Sequence, residues 1–501
     1  MPTPWKMFWA SRPRKCLMGI CAIATMMIFM AAPAWGQTAT APVAAPVAAA
    51  TQAAATAPAA PAVAPIDTGA TSWMLASTAL VMIMMPGLAL YYGGIVRKKN
   101  FLATMMTSYA ALGVISLQWF LGGYSLAFGT SHLHGFIGWD DSRMFLLNLS
   151  QRTTTAFAPG GQNIPEAVYS MFQLMFAIIT PALIAGSVAE RMKFGAWVAF
   201  IFLWAYFVYD PLAHAVWSPD GNGWMTNIGT LLGSTGGAVD FAGGTVVHIS
   251  SGVSGLILCL FLGRRLGFPR NVIQPNSLGL TLTGAGLLWF GWYGFNAGSA
   301  NGSNYLACIA FTNTTIATAL GGLGWITAEW LHHRRPTTLG IASGFVAGLV
   351  AITPACGYVT IWSAPIIGLL AGVVCYWGAQ IKTIFGYDDA LDAFGVHAVG
   401  GFLGALLTGV FASAALNGHG GPNGLVEGNP IQVLWQFLAA SNAVIYSAVV
   451  TAVIAIVLDK TIGLRVSESV EIEGLDIGIH GENGWDVGTL PEPAITLPGA
   501  A

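Results

Sequence analysis

The chain has 501 residues, of which 55% are hydrophobic and only 8% are charged. This composition is typical of a polytopic membrane protein and excludes a soluble multidomain enzyme. The net charge of −2 gives no reason to expect a nucleic-acid partner.

The N-terminus has the pattern of an exported protein. Residues 1–36 begin with basic side chains, continue with an apolar stretch and end in small residues, as a cleavable signal peptide does. An extra uncleaved helix is the alternative. Residues 37–66 are mostly Ala, Pro, Val and Thr, and predict a flexible leader because they lack the apolar bulk to fold. A transmembrane domain over 67–460 and a cytoplasmic tail over 461–501 are expected to follow.

After the leader, eleven stretches are long and apolar enough to cross a membrane, since a helical span needs about 20 residues. They are 72–92, 101–128, 166–189, 194–215, 244–262, 275–297, 305–331, 338–355, 358–379, 393–415 and 431–458. Alternate connections carry thirteen basic residues: Arg97, Lys98, Lys99, Arg191, Lys193, Arg264, Arg265, Arg270, Arg334, Arg335, Lys382, Lys460 and Arg465. The opposite connections hold only Arg143 and Arg152. Because cytoplasmic loops collect Lys and Arg, the N-terminus is expected in the periplasm and the tail in the cytoplasm.

Two histidines lie in similar apolar surroundings on different spans. His248 follows GGTVV on the fifth span, and His397 follows AFGV on the tenth. Eleven spans divide into five, five and one, and an odd repeat forces the second five to be inverted. Inverted repeats place their site at the interface of the two halves. The predicted fold is therefore all-α, with an inverted five-helix repeat and a long eleventh helix.

An ionisable residue inside a membrane is a functional hypothesis by default. Neutral His248 and His397 could share one proton between their rings and turn their other edges to a polar molecule in a pore. The alternatives are satisfied core histidines and a metal site. Zinc needs at least three protein ligands, and Asp240 lies about 12 Å from His248 along a helix. No metal and no cofactor are therefore expected.

Polar and aromatic residues gather at one end of these spans. Asp240 starts the fifth span, where it can cap the helix or favour cations at an entrance. The aromatic and polar residues near the same end are Trp217, Phe172, Phe176, Trp292, Phe295, Asn296 and Ser299. Aromatic faces attract cations, and a hydroxyl can accept an N–H bond. An interfacial aromatic belt is the alternative. Asp392 precedes His397 and is expected to support it.

These motifs resemble the ammonium transporter family (Amt/Mep/Rh), in its bacterial Amt type. The matching stretches are AERMKFGAW (189–197), DFAGGTVVH (240–248), GWYGFNAGSA (291–300), DDALDAFGVHAVGG (388–401) and GLRVSESVEIEGLDIGIHGE (463–482). The resemblance covers roughly residues 67–485, and the order and spacing of the motifs make it specific.

The resemblance implies a role for each matching position. His248 and His397 correspond to the paired histidines of the pore. The outer recruitment site for ammonium corresponds to Trp217, Phe176, Ser299 and Asp240, and the gate to the rings of Phe176 and Phe295. A homotrimer is implied, with ammonium or ammonia as substrate, membrane lipid around it, and a PII-type signalling protein at the cytoplasmic face. One departure from the family's pattern is Asp210, which is expected to add negative charge near the entrance.

Other functions remain as alternatives. A Rh-type channel for ammonia or carbon dioxide is disfavoured by Trp217 and Ser299, which make a cation site. An ammonium sensor would act through its tail and a PII-type partner. An enzyme is not expected, because the spans contain no HExxH, GxSxG or paired catalytic carboxylates.

Overall fold

A computed structural model describes residues 65–154, 162–270, 274–417 and 421–485. The predicted signal peptide and nearly all of the predicted leader lie outside these residues and stay predictions. The described chain is mostly helical, and its helices run through the regions predicted to cross the membrane.

Across the described ranges, eleven helices coincide with the eleven predicted spans. They are α1 Thr68–Ile95, α2 Lys98–Phe128, α3 Glu166–Val188, α4 Phe194–Trp217, α5 Gly244–Leu262, α6 Leu278–Gly298, α7 Tyr305–His333, α8 Thr338–Ile352, α9 Ile361–Phe385, α10 Phe394–Phe411 and α11 Ile431–Thr461. Nine of these, counted over the described residues, are long and apolar enough to span a bilayer. The other two are α8, which has 15 residues, and α6, whose 21 residues include six glycines. The chain is an all-α polytopic membrane protein, and eleven spans fit this arrangement.

Short elements cover the ends of the bundle. Strand β1 (Thr130–His132) pairs antiparallel with β2 (Ile137–Trp139) after α2. Short helical turns lie at Asp141–Leu146, Leu149–Gln151, Ile228–Leu231 and Ala414–Asn417, and α12 (Glu468–Glu473) lies in the tail. We call the end of the bundle that carries β1 and β2 the hairpin face. The opposite end, which carries Arg97, Arg191 and Arg265, is the basic face.

The packing of the first five helices is repeated by the next five. Helix α1 packs on α2 and α3, and α6 packs on α7 and α8. Likewise α3 packs on α5, and α8 packs on α10. The corresponding first helices, α1 and α6, contact each other along their length, and α5 crosses α10. This repetition is the one expected of two inverted halves around a shared interface.

Small residues allow the closest helix contacts. A Cβ atom at Gly284 of α6 would collide with the backbone of Gly87 and Tyr91 in α1. Glycine therefore lets the two backbones approach, as is common between membrane helices. Large apolar side chains such as Leu75, Phe290 and Val453 are exposed on the outside of the bundle, where lipid would surround them.

Buried ion pairs hold the basic face together. Glu190 accepts hydrogen bonds from Arg97 Nε (3.0 Å), Asn100 Nδ2 (2.9 Å) and Arg265 Nη1 (2.9 Å). Arg265 also forms a two-bond contact with Asp388, at 2.9 and 2.8 Å. Burial acts to raise the pKa of Glu190, but Arg265 and Arg97 outweigh it and lower the pKa to about 2. The loops after α1, α3, α5 and α9 are thereby joined.

The tail after α11 folds back onto the basic face. Asp476 accepts hydrogen bonds from the backbone N–H groups of Leu102 (3.1 Å) and Ala103 (2.8 Å) near the start of α2. The backbone N–H of Val466 donates to the carbonyl of Arg191 (3.1 Å). The described tail is therefore bound to the ends of the membrane helices.

Candidate functional site

A narrow cavity lies at the interface of the two halves. Its walls are aliphatic and aromatic apart from two imidazoles and two phenols. The lining residues are Met84, Leu88, Tyr91, Tyr92, Ile179, Leu183, Val247, His248, Leu288, Trp292, Phe295, Val346 and His397. Both halves of the repeat contribute to it. Such a space offers few groups that could replace the water around an ion.

The structure brings His248 and His397 together inside this cavity. Their Nδ1 atoms are 3.3 Å apart, and their ring planes differ by 17°. The side chains are 1% and 3% exposed, so both imidazoles have left water. Among the described residues, His248 Nε2 has no hydrogen-bond partner. This nitrogen is a polar atom available to a small molecule in the cavity.

Each histidine is carried on a helix that begins with a π-helical turn. These turns are Gly244–Ile249 in α5 and Phe394–Ala398 in α10. One turn after each histidine comes a glycine, Gly252 or Gly401. A Cβ at Gly252 would meet Ala398, and a Cβ at Gly401 would meet His248 Cβ and the next backbone nitrogen. The crossing of the two helices therefore sets the distance between the rings.

We expect Gly252→Ala to damage this crossing. The added methyl group collides with the backbone nitrogen of Ala398, so the helices must separate and the imidazoles move apart. Overpacking of this kind costs about 1–3 kcal/mol. The melting temperature and methylammonium uptake should both fall. Gly113→Ala is the control, because a Cβ there has no neighbour within 4 Å. Equal behaviour of the two variants would contradict the steric argument.

Aromatic rings close the cavity toward the hairpin face. Phe176 and Phe295 stack with centroids 4.1 Å apart, and Phe295 lies 6.2 Å from the ring of His248. On the other side, Trp217 meets Phe176 edge-on at 6.0 Å, and Phe172 meets it at 5.0 Å. Phe176 and Phe295 are 1% and 0% exposed, whereas Trp217 is partly exposed. The rings thus form a line from the surface to the histidines.

Asp240 organises the end of α5 near these rings. Its carboxylate accepts hydrogen bonds from the N–H groups of Gly243 (2.7 Å), Gly244 (2.8 Å) and Thr245 (2.6 Å). Its backbone carbonyl accepts from Trp217 Nε1 at 2.9 Å. Asp240 therefore caps the helix that carries His248 and also fixes the indole. The predicted capping role of Asp240 is therefore seen in these contacts, and its influence on cations at an entrance stays a prediction.

The counterpart of Asp240 in the second half is Asp389. Each residue stands eight positions before its histidine, and Asp389 Oδ2 accepts from the N–H of Phe394 at 2.8 Å. Lys382 Nζ donates to the carbonyl of Asp389 at 3.1 Å, where Trp217 occupies the matching place in the first half. Asp392 instead pairs with Lys382 at 2.6 Å on the basic face. Sequence reasoning missed Asp389, although the equal spacing to the histidine was available.

The remaining predicted side chains serve the site in different ways. Trp292 stacks on His248 at 5.4 Å, and its Nε1 donates to Thr353. Ser299 donates to the carbonyl of Phe295 at 2.8 Å, which leaves the hydroxyl oxygen free to accept. Asn296 is fully buried.

Asn296 and Asp210 complete the comparison with the predicted positions, and Tyr91 is a lining residue that was not predicted. Asn296 Nδ2 donates to Thr314, a residue of α7. Asp210 is fully buried against Gln118, so its expected contribution of negative charge to the entrance is not what the structure indicates. Tyr91 lines the cavity, and its hydroxyl oxygen lies 3.0 Å from Ser343 Oγ. No pattern in the sequence predicted this contact.

Comparisons with known proteins agree on one family. The model of the Ammonium Transporter Family matches residues 72–485. A protein named ammonium transporter from Aquifex aeolicus is 48% identical over 426 residues, covering 85% of this chain and 95% of that protein. One from Bacillus subtilis is 44% identical over 421 residues, covering 83% and 98%.

Solved structures give the same result. The crystal structure of Saccharomyces cerevisiae Mep2 has a TM-score of 0.73 and 33% identity, covering 81% of this chain and 88% of that chain. A structure described as Sensor Amt Protein has a TM-score of 0.73 and 27% identity, covering 82% and 98%. With the family model spanning most of the sequence and the fold shared, this chain belongs to the Ammonium Transporter Family.

Proposed function

We propose that the protein moves ammonium nitrogen across the inner membrane as ammonia. The cation is recruited at Trp217, Phe176 and Ser299, with the carboxylate of Asp240 nearby. It loses a proton behind the rings of Phe176 and Phe295, and ammonia then passes the two histidines. The observation that carries this proposal is the continuous line of rings from Trp217 to the buried imidazole pair.

The recruitment step follows from the chemistry of the outer groups. Aromatic faces attract a partly dehydrated cation. Ser299 gives its own proton to the carbonyl of Phe295, so its oxygen is an acceptor for an N–H donor. Ammonium has such donors and potassium has none. These groups favour a small nitrogen cation over a gas.

The deprotonation step follows from the dry cavity. Moving an ammonium-sized ion into a low-dielectric medium costs on the order of 20 kcal/mol in the idealised Born limit. Neutral ammonia avoids most of this cost, and potassium has no neutral form to adopt. His248 Nε2 then offers ammonia a hydrogen bond in an otherwise apolar space. Selectivity against potassium is thus a consequence of releasing a proton.

The deciding experiment measures current per nitrogen transported by purified protein in liposomes. Ammonia conduction without its proton gives transport with no net charge, whereas return of the proton through the histidine pair gives one charge per ammonium. Either ratio supports the proposal if potassium is excluded. Absence of any ammonium-dependent flux or current would overturn it.

Substitution of the outer site is expected to weaken recruitment without blocking the pore. Trp217→Leu removes the exposed π face, which contributes about 0.5–2 kcal/mol to cation binding. The KM for methylammonium should therefore rise by roughly two- to thirtyfold, with a smaller change in maximum rate. Phe207→Leu, which alters an exposed aromatic residue on the outside of α4, serves as the control. An unchanged KM in Trp217→Leu would contradict the assigned recruitment role.

The finer features of the proposal concern location and partners. From the distribution of basic residues we propose that the hairpin face lies in the periplasm and the basic face in the cytoplasm. The predicted signal peptide over 1–36 and the predicted leader over 37–66 would agree with that orientation. We further propose a homotrimer, each subunit with its own pore, and a PII-type protein at the basic face, where the tail is bound to the ends of α2 and α4.

Ammonium sensing is the second candidate function. It is favoured by the similarity to the structure described as Sensor Amt Protein. A sensor would bind ammonium at the outer site and signal through the tail and its partner. Flux in liposomes separates the two functions, because a sensor alone carries no nitrogen across the membrane.

A further inference from the structure

Asp210 is a carboxyl group within the helix bundle that the transport steps above do not use. It follows the π-helical turn Ala205–Tyr209 of α4, and its side chain is 0% exposed. Its Oδ2 accepts a hydrogen bond from Gln118 Nε2 at 2.7 Å. Gln118 is equally buried and directly precedes another π-helical turn, Trp119–Gly123 of α2. The contact therefore joins two irregular turns of neighbouring helices.

Two oxygens of this pair have no donor among the described residues. They are Asp210 Oδ1 and Gln118 Oε1. An ionised carboxylate cannot donate, so it would leave both acceptors unsatisfied in a buried place. A carboxylic acid carries one proton and can give it to the amide oxygen. With that proton Asp210 Oδ1 can donate to Gln118 Oε1 while Gln118 Nε2 donates to Asp210 Oδ2, and this ring of two reciprocal hydrogen bonds satisfies both oxygens.

The surroundings also argue against an ionised group. In the described part of the chain, Asp210 makes no ion pair, and the titratable side chains near it are the phenols of Tyr206, Tyr209 and Tyr446. The hydroxyls of Tyr206 and Tyr446 donate to backbone carbonyls. His214 lies one turn further along α4, and its ring nitrogens bind other partners. A lone carboxylate within the membrane is costly, and protonation removes that cost.

We propose that Asp210 is a protonated positioning residue for cation recruitment, acting through its hydrogen-bonded ring with Gln118. The helical segment Asp210–Trp217 begins at this residue and ends on the recruiting indole. By tying the start of the segment to α2, the pair fixes where Trp217 stands against Phe176. This inference rests on the proposed function, because it assigns Asp210 a part in the same outer site.

The kinetic experiment uses variants that keep or remove the ring. Asp210→Asn keeps it, since the new amide donates where the acid did. The double variant Gln118→Glu with Asp210→Asn keeps it with the acid on the other helix. Both should retain the KM for methylammonium within about twofold. Asp210→Leu removes two buried hydrogen bonds and should raise the KM about tenfold, with the maximum rate per folded transporter changed less. A wild-type KM in Asp210→Leu overturns the proposal.

An infrared measurement decides the protonation state independently of transport. The spectrum of wild-type protein in lipid at neutral pH, minus that of Asp210→Asn, should contain the carbonyl band of a protonated carboxylic acid. A carboxylate band in its place overturns the proposal, even where Asp210→Leu fails to fold. Absence of ammonium flux in wild-type protein would instead refute the proposed function, and the infrared result would stand apart from it.

Discussion

Replacing His248 or His397 by alanine is expected to remove most selective ammonium transport. Each imidazole supplies polar atoms within an otherwise apolar cavity, and the rings lie only 3.3 Å apart at Nδ1. Loss of one hydrogen bond to ammonia, at about 1–1.5 kcal/mol, corresponds to about a tenfold fall in rate. A further and larger fall in the transport rate is expected because the remaining imidazole is left buried without its neighbour. Methylammonium uptake in cells that lack their own ammonium transporters measures the result.

Two controls make this experiment specific. His333→Ala alters an exposed histidine at the end of α7 and should leave uptake unchanged. His248→Gln keeps a polar side chain of limited length but cannot pass a proton as imidazole does. Reduced but measurable uptake in that variant would show that a polar side chain alone supports part of the transport and that proton sharing supports the rest. Wild-type uptake with potassium still excluded in both alanine variants would falsify the role of the histidine pair.

Arg265→Met is expected to cause the largest loss of stability on the basic face. The change removes the two-bond partner of Asp388 and one partner of Glu190 while leaving both carboxylates buried. Breaking a buried ion pair by removing one member costs about 3–5 kcal/mol. The melting temperature of the purified protein should fall sharply. Arg264→Met is the matched control, since the side chain of that exposed neighbour donates, within the described ranges, only to the carbonyl of Gly386.

The same network gives a dependence of stability on pH. The folded protein holds the pKa of Glu190 at about 2, below its usual value of 4.5. Its contribution is therefore complete above pH 4.5 and is lost as the pH falls toward 2. The shift corresponds to about 3 kcal/mol. Thermal unfolding of wild type measured between pH 6 and 3 should show this loss, and Arg265→Met should show less of it. Parallel pH profiles for the two proteins would contradict the assignment.

Much of the site could be predicted because its signals are local. The apolar length of each span, the alternation of basic loops and the two apolar segments with histidine are all readable along the chain. The position of Asp240 before His248 likewise indicates a helix cap. Such features depend on residues a few positions apart, and sequence patterns record them directly.

Features that depend on the contact of distant helices were harder to predict. Asp392 was expected to support His397, but Asp389 is the residue that caps its helix. Asp392 instead takes a left-handed backbone conformation (φ 61°) and pairs with Lys382 from α9. Asp210 was expected to add negative charge near the entrance, whereas its side chain binds Gln118, which lies 92 positions earlier in the chain. No pattern along either helix reveals that pairing.

The two ends of the conduit are alike in backbone geometry and unlike in chemistry. Asp240 and Asp389 each cap their helix, yet the carbonyl of the first binds the indole of Trp217 and that of the second binds the ammonium group of Lys382. The aromatic site proposed for cations therefore stands at one mouth, whereas the ion pair of Lys382 with Asp392 stands at the other. On the proposed function, the two directions of transport should differ. The flux should saturate at a lower ammonium concentration when ammonium is supplied from the hairpin face than when it is supplied from the basic face.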